Sequence, residues 1–265
     1  MLRPLIAALM LATPLSAHEY WIEPVDFTVA TGEVIEAHLR NGENFKGAAF
    51  SYLPQRFRRF DVIFGDNVAP VEGRAGDMPA ASLQTGAPGG LVSLVHVSTD
   101  SFLTYSEWQK FVNFVTHKDA EWVLEEHAAR GLGEENVRER YVRYSKSLIA
   151  VGEGAGADAA RGLEVEIVAL ANPYVDDVSG GLPVQVLYQG APRGGAQIEL
   201  FDRGPEGEVA VTTHRADAEG RVVLPVVAGH EYLADNVVLR ALDPAEADGA
   251  VWESLWAALT FAVPE

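Results

Sequence analysis

The sequence of 265 residues contains no cysteine. This absence excludes disulfide bridges, thiolate zinc sites and cysteine nucleophiles, so an exported form of the chain must be stabilised by its core. Positive charge is also scarce, because 20 Lys and Arg stand against 38 Asp and Glu, for a net charge of −18. So few cations argue against binding to nucleic acids or to anionic membranes, both of which require basic patches.

Long apolar runs are missing from the body of the chain, which has no stretch of about 18 apolar residues that could span a bilayer. A shorter run stands at the beginning, where Arg3, "LIAALMLA" and "LSA" are typical of a secretory signal peptide. We expect residues 1–17 to be a signal peptide that is cleaved after Ala17. The mature protein is then periplasmic or secreted, with 248 residues, a net charge of −19 and no membrane span.

Short runs that alternate between apolar and polar residues, separated by Gly, Pro and Asp turns, predict strands through most of the mature chain. We therefore predict a mainly β fold with two β-sandwich domains of the immunoglobulin-like or transthyretin-like type. Residues 18–155 are expected to form the N-terminal β domain and residues 163–265 the C-terminal β-sandwich. The small and polar segment "GADAARG", residues 156–162, is the predicted linker.

Apolar residues at helical spacing predict a helical insertion, residues 105–145, in the first domain. The segments "SEWQKFVNFV" and "THKDAEWVLEEHAARG" are expected to be helices, and Gly131 is expected to stop the second one. The segment "EENVRERYVRY" is interpreted as a third helical piece before a return to strand.

Two cations near the end of this insertion, Arg143 and Lys146, are expected to pair with acidic groups at the seam between the domains. Ser145 and Lys146 are adjacent and do not share a face, so they form a poor serine–lysine catalytic pair. Paired carboxylates are common in so acidic a chain and do not indicate a glycosidase.

Among the seven histidines, His18 would become the first residue of the mature chain. Cleavage frees its α-amine, whose ordinary pKa is about 8, so a metal ion displaces the proton easily at neutral pH. The amine and the imidazole Nδ1 of the same residue then close a six-membered chelate ring. A third nitrogen would complete a T-shaped site, which favours Cu(II) or Ni(II).

The third nitrogen would come from another histidine, and we consider His96 first, followed by His117 and His127. His96 shares an apolar strand face with Val92 and Leu94, which suits either a dry metal site or a core histidine bonded to the backbone. His117 is expected at a helix start. His127 is expected near a helix end, where it could interact with the helix dipole instead.

Four segments, "AHEYWIEP", "NGENFKG", "YVRYSKSLI" and "VWESLWAALTF", together resemble an uncharacterised family of bacterial exported proteins. Its members are often labelled nickel or cobalt uptake components, or nickel-uptake substrate-specific proteins. The family pattern of a mature N-terminal histidine matches His18. The resemblance implies a periplasmic accessory protein that binds a transition-metal ion and passes it to a membrane permease, which would be a separate chain.

Three functions stay open at this point. The leading hypothesis is a non-enzymatic protein that binds Ni, Co or Cu at His18. The second is a non-catalytic interaction module that binds a protein or a glycan through the Gly/Pro-rich loop at residues 72–90. The third is a copper enzyme that cleaves polysaccharides oxidatively, which would need an exposed aromatic face near His18, whereas Trp21 is expected in the core.

Overall fold

The computed structural model describes residues 18–86 and 88–265, so the predicted signal peptide, residues 1–17, lies outside the described residues. Two helices, α1 (Trp108–His117) and α2 (Trp122–Ala129), and a short 3₁₀ turn (Pro54–Arg56) accompany the strands. The strands are, in chain order, β1 (Glu19–Pro24), β2 (Thr28–Val29), β3 (Val34–Glu43), β4 (Lys46–Phe50), β5 (Phe57–Phe64), β6 (Asn67–Pro70), β7 (Ala81–Gln84), β8 (Gly90–Ser98), β9 (Ser101–Tyr105), β10 (Val137–Val151), β11 (Val165–Ala169), β12 (Leu182–Tyr188), β13 (Ala191–Pro192), β14 (Gln197–Arg203), β15 (Val209–Arg215), β16 (Arg221–Leu224), β17 (His230–Ala241) and β18 (Trp252–Val263).

The described strands form three sheets. The central sheet has ten strands in the order β15-β14-β17-β18-β10-β8-β5-β6, with β2 and β9 also paired to β10. The N-terminal sheet consists of β1, β3, β4 and β7, and the C-terminal sheet consists of β11, β12, β13 and β16. Strands β10 and β18 run parallel at the middle of the central sheet, from the pair Glu139 and Trp252 to the pair Ser147 and Thr260.

The two faces of the central sheet are covered by different layers, because successive strand side chains point to opposite faces. On one face, Leu255 and Phe261 of β18 pack into a core with the C-terminal sheet. On the other face, Trp252 and Trp256 of β18 pack against helices α1 and α2. The N-terminal sheet covers the rest of this second face, where Ile22 shares a core with residues of β8 and β10. The second face therefore has two neighbouring covers, one of strands and one of helices.

The prediction of a mainly β fold is confirmed. Strands from both sides of the predicted linker, residues 156–162, belong to the central sheet, since β10 pairs with β18. The side chain of Asp158, inside that linker, is buried and lies 2.7 Å from the Nζ of Lys146. The division into two sandwich domains stays a prediction, and a shared sheet crosses the proposed boundary.

The interpretation of "EENVRERYVRY" as a third helical piece is wrong, because residues 137–151 form the long strand β10. Its first half pairs with β9 and with β18, and these partners lie far apart in the sequence. The local pattern of this segment fits both the helical period and the alternation of a strand, and pairing with distant strands decides in favour of the strand. Helices α1 and α2 form within the two predicted segments, and α2 ends two residues before Gly131, which has a φ of +67°. The expectation that His117 lies at a helix start is wrong, because His117 is the last residue of α1 and α2 begins at Trp122. Asp119, with a φ of +57°, interrupts the helix between them. Neither helix of the described chain has the length and apolar run that a membrane crossing requires.

Candidate functional site

Two cavities open between the strand cover and the helical cover, with the central sheet as their floor. The larger cavity, of about 320 Å³, has an aromatic wall that includes Tyr20, Phe50 and Phe57. The smaller cavity, of about 180 Å³, extends from His18 to the helical side of the molecule. The lining residues that both cavities share are Asn41, Tyr141 and Arg143. The cavities are thus adjacent parts of one candidate site.

His18 lies at the mouth of the smaller cavity, with 52% of its side chain exposed. Its Nε2 is 3.8 Å from the Oε1 of Glu43. Strand pairing produces this proximity, because the antiparallel register of β1 and β3 sets Glu19 opposite Gly42. The ring therefore has a carboxylate partner on its Nε2 side.

The turn segment "NGENFKG" shapes this part of the site. Asn41 lines both cavities, and Glu43 faces His18. A Cβ added at Gly42 would lie 2.0 Å from the carbonyl oxygen of Lys46, so only glycine allows the two strands to approach so closely. Phe45 packs edge-on against the buried Trp21, with ring centroids 5.6 Å apart.

A buried charge cluster anchors the residue that follows His18. The Nζ of Lys118 contacts the carboxylate of Glu199 and lies 3.1 Å from Asp235 and 3.9 Å from Glu19. All four side chains are buried. Burial alone would lower the pKa of Lys118, but the three carboxylates outweigh it and raise that pKa. The cluster therefore keeps its lysine charged and holds the start of β1 against α1.

Burial, reinforced by the nearby Asp235, raises the pKa of Glu19 to about 7, from an ordinary value of 4.5. The folded state then binds more protons than the unfolded state between pH 4.5 and 7, so the stability contributed by protonated Glu19 is lost as pH rises through this window. We expect this carboxyl to lower the free energy of unfolding by up to about 3 kcal/mol across the window. Urea unfolding at a series of pH values should show that Glu19→Gln removes this slope.

The matched control for that measurement is Glu36→Gln, at an exposed position on β3 of the same sheet. It should leave the pH dependence of the parent protein unchanged. If Glu19→Gln and Glu36→Gln have the same pH profile, Glu19 does not titrate in this range and the assignment is wrong.

His96 lies on the wall of the larger cavity and is almost fully buried. Its ring centroid is 5.3 Å from that of Tyr20, 5.5 Å from that of Phe57 and 5.3 Å from that of Phe60. Burial lowers the pKa of His96 to about 3, so its imidazole is neutral. Its Nδ1 has no hydrogen-bond partner among the described residues.

The two helical histidines have other partners. The Nε2 of His117 is 2.8 Å from Glu199, and this contact raises the pKa of His117. The indole N–H of Trp252 donates to the Nδ1 of His127 at 3.0 Å. Because that nitrogen accepts, the Nε2 of His127 carries the proton and donates it to the carbonyl of Gly133 at 3.0 Å. Both ring nitrogens of His127 are therefore engaged.

The structure thus brings two of the four candidate histidines, His18 and His96, to adjacent cavities. His117 belongs to the Lys118 cluster, and His127 packs under Trp252. Within residues 18–86 and 88–265, no group of three or more His, Asp and Glu side chains is arranged to hold a metal ion.

Arg143 is the residue whose environment differs most from expectation. The predicted pairing of Arg143 with an acidic group is wrong, because its buried Nε and Nη1 have no partner in the described chain. Its guanidinium instead stacks on the ring of Trp256, 4.0 Å from the centroid. Lys146 behaves as predicted and contacts Asp158 and Glu166. Nothing in the sequence distinguishes these two cations, since both occur in "YVRYSKSLI".

A family model described as "Domain of unknown function (DUF4198)" matches residues 15–238. The chain belongs to the DUF4198 family. That description names no ligand, so metal binding by this DUF4198 chain stays a proposal. No curated protein matches the sequence.

Among solved structures, the DUF4198 chain is similar to the "D0-D1 domain of Intimin", with 11% identity, 91% of this chain and 97% of that chain covered, and a TM-score of 0.21. It is also similar to a "tetra-tandem repeat in extending region of large adhesion protein", with 10% identity, coverage of 92% and 50%, and a TM-score of 0.21. A third match is the Yersinia pseudotuberculosis adhesin InvE, with 12% identity, coverage of 92% and 58%, and a TM-score of 0.18. Matches at such TM-scores do not bear on function.

Proposed function

We propose that the mature DUF4198 chain is an exported, non-enzymatic protein that binds a transition-metal ion, Ni, Co or Cu, at His18. It would support metal uptake by delivering the ion to a separate membrane permease. The observation that carries this proposal is the position of His18, half-exposed at a cavity mouth with its Nε2 facing Glu43. The α-amine and Nδ1 would chelate the ion from the other side of the ring.

The contact with Glu43 suits a metal-binding imidazole. Histidines that bind a metal through one nitrogen usually direct the other ring N–H to a carboxylate, which orients the ring and raises its basicity. The Nε2 of His18 is 3.8 Å from Glu43, within reach of such an interaction after a small rotation. Glu19, buried beside Lys118, restrains the backbone next to the chelating residue.

His96 is the preferred source of a third nitrogen. Of the three other candidates, it alone has a buried ring nitrogen without a hydrogen-bond partner in the described chain. Its imidazole is neutral, which is the form that binds metal ions. His117 and His127 are already held by Glu199 and by Trp252 and Gly133.

The proposal predicts that a free His18 amine is essential. Protein that starts at His18 should bind Ni(II) at least about tenfold more tightly than protein with one extra alanine before His18, because acylation of the amine breaks the chelate. Isothermal titration calorimetry of both forms with NiCl₂ and CuSO₄ measures the difference. His214→Ala, on strand β15 at the edge of the central sheet, is the control and should bind as the parent does.

Equal affinity of the two forms would remove the His18 amine from the site. If neither form binds a metal ion, the second candidate function, a non-catalytic interaction module, gains support. Its contact would be within residues 72–90, which contain strand β7 and are therefore not all loop; Met78, before β7, is 54% exposed. The copper-enzyme hypothesis loses its aromatic platform, because Trp21 is fully buried as expected.

A further inference from the structure

The guanidinium of Arg143 is a buried cation that forms no ion pair with any residue that the structure describes. The residue is 7% exposed, and it lies on the floor shared by the two cavities. Its guanidinium carbon is 4.0 Å from the centroid of the Trp256 ring and 5.1 Å from that of Tyr141. Aromatic faces attract a cation, but they do not accept its directed N–H bonds. Its Nε and Nη1 have no hydrogen-bond acceptor among the described residues.

An unpaired buried charge is costly, because the lost hydration is not replaced. Other buried cations of this chain avoid that cost. Lys118 contacts Glu199 and Asp235, and Lys146 contacts Asp158 and Glu166. Lys118, Lys146 and Arg143 are the three buried cations of the described residues, and Arg143 is the one among them without a carboxylate partner.

The acidic groups nearest Arg143, Asp235 and Glu139, attract its charge but form no ion pair with it among the described residues. The carboxylate of Glu139 accepts hydrogen bonds from Tyr105, at 2.7 Å, and from Ser254. Asp235 accepts one from Lys118 at 3.1 Å. Burial raises the pKa of Glu139 and of Asp235, so both carboxyls carry their negative charge less readily. They leave the guanidinium without a direct acceptor.

The larger cavity combines this cation with an apolar wall. Tyr20, Phe50, Leu53 and Phe57 line it, and Arg143 stands on its floor. Its volume of about 320 Å³ lies at the lower end of the range of small-molecule sites. An arginine fork binds a carboxylate through two parallel hydrogen bonds, and this geometry is well suited to a planar anion.

We propose that the larger cavity binds a small organic monocarboxylate with an apolar body. The carboxylate accepts hydrogen bonds from the guanidinium of Arg143, and the apolar body packs against Tyr20, Phe50 and Phe57. This site goes beyond metal binding at His18 and does not depend on it.

The test titrates metal-free protein, dialysed against EDTA, with acetate, butyrate and 3-phenylpropionate, and with the uncharged 3-phenylpropanol. Binding is measured by isothermal titration calorimetry and by the change in tryptophan fluorescence, to which Trp256 beside Arg143 contributes. Affinity should rise by about tenfold or more from acetate to 3-phenylpropionate, as apolar contact grows. The alcohol should bind at least about tenfold more weakly than the matching acid, because it lacks the charge-assisted bond.

Substitution of the arginine separates a ligand-binding role from a structural one. Arg143→Met should abolish binding of 3-phenylpropionate, while the midpoint of urea unfolding stays equal or rises, because an unpaired buried charge is removed. A structural ion-pair residue would instead lower that midpoint. Arg143→Lys, which keeps the charge without the fork, should bind with intermediate affinity. Arg58→Met, which removes an exposed cation on β5, is the control and should bind as the parent does.

Three results would overturn the proposal: none of the acids binds, the alcohol binds as tightly as its acid, or Arg143→Met binds as well as the parent. The comparison of the acid with the alcohol uses the parent protein, so it tests whether the cavity requires a carboxylate even if a variant fails to fold. His18→Ala should retain carboxylate binding. A failure of the metal-binding proposal at His18 and a failure of the carboxylate-binding proposal at Arg143 can therefore be told apart.

Discussion

Replacing Lys118 with methionine should lower the free energy of unfolding by about 3 to 5 kcal/mol. Methionine has a similar length, so the change removes the charge and leaves most of the packing. The buried carboxylates of Glu19, Glu199 and Asp235 then face one another without the cation that lies among them. Urea unfolding followed by tryptophan fluorescence at pH 7.5 measures the loss.

The control is Lys110→Met, on helix α1, which ends just before Lys118; Lys110 pairs with Glu107 at 2.6 Å in a partly exposed position. Such surface pairs contribute about 0.2 to 1 kcal/mol, so this variant should be close to the parent. The deficit of Lys118→Met should also shrink as the pH falls toward 5, because the carboxyls can take up protons instead of remaining charged. Equal stability of the two variants at pH 7.5 would contradict the role assigned to the cluster.

The second large effect is expected at Lys146. Its Nζ lies 2.7 Å from Asp158 and 3.0 Å from Glu166, and all three side chains are almost completely buried. Lys146→Met should lower the free energy of unfolding by about 3 to 5 kcal/mol, because two carboxylates remain buried without their cation. The loss should be measured by urea unfolding, as for Lys118.

Two further variants show whether the loss at Lys146 comes from the unpaired charges. Lys46→Met, at an exposed position on β4, should leave stability nearly unchanged. The triple variant Lys146→Met, Asp158→Asn and Glu166→Gln removes all three charges and should be more stable than Lys146→Met alone, since no charge is left unpaired. A triple variant less stable than the single one would show that packing, and not charge, dominates at this position.

The four segments behind the family resemblance meet at the candidate site. The first contributes His18 and Tyr20, the second Asn41, the third Tyr141 and Arg143, and the fourth Trp256. The four segments therefore contribute six of the residues that line the two cavities. The resemblance did not indicate that Arg143 lacks an ion-pair partner among residues 18–86 and 88–265, because that depends on which side chains surround it.

Local patterns were sufficient for much of the fold. The alternation in "EVIEAHLR" predicts a half-buried strand, and β3 alternates between exposed and buried positions as expected. Helical spacing correctly predicts α1 and α2, because the period of apolar residues reports directly on which face is buried. The same local reasoning failed for the first half of β10, whose partners β9 and β18 are separated from each other by about 150 residues.

By itself, the sequence determined that this DUF4198 chain has no disulfides, is strongly acidic and is built mainly of strands, since composition and period-two alternation are local properties. Only the tertiary structure decided that β10 and β18 join in one sheet across the predicted linker. It also decided that Lys118 and Lys146 pair with carboxylates whereas Arg143 pairs with none in the described part of the chain. The reason is physical: the partner of a buried charge is chosen by contacts between residues that are distant in sequence, and no local pattern records them.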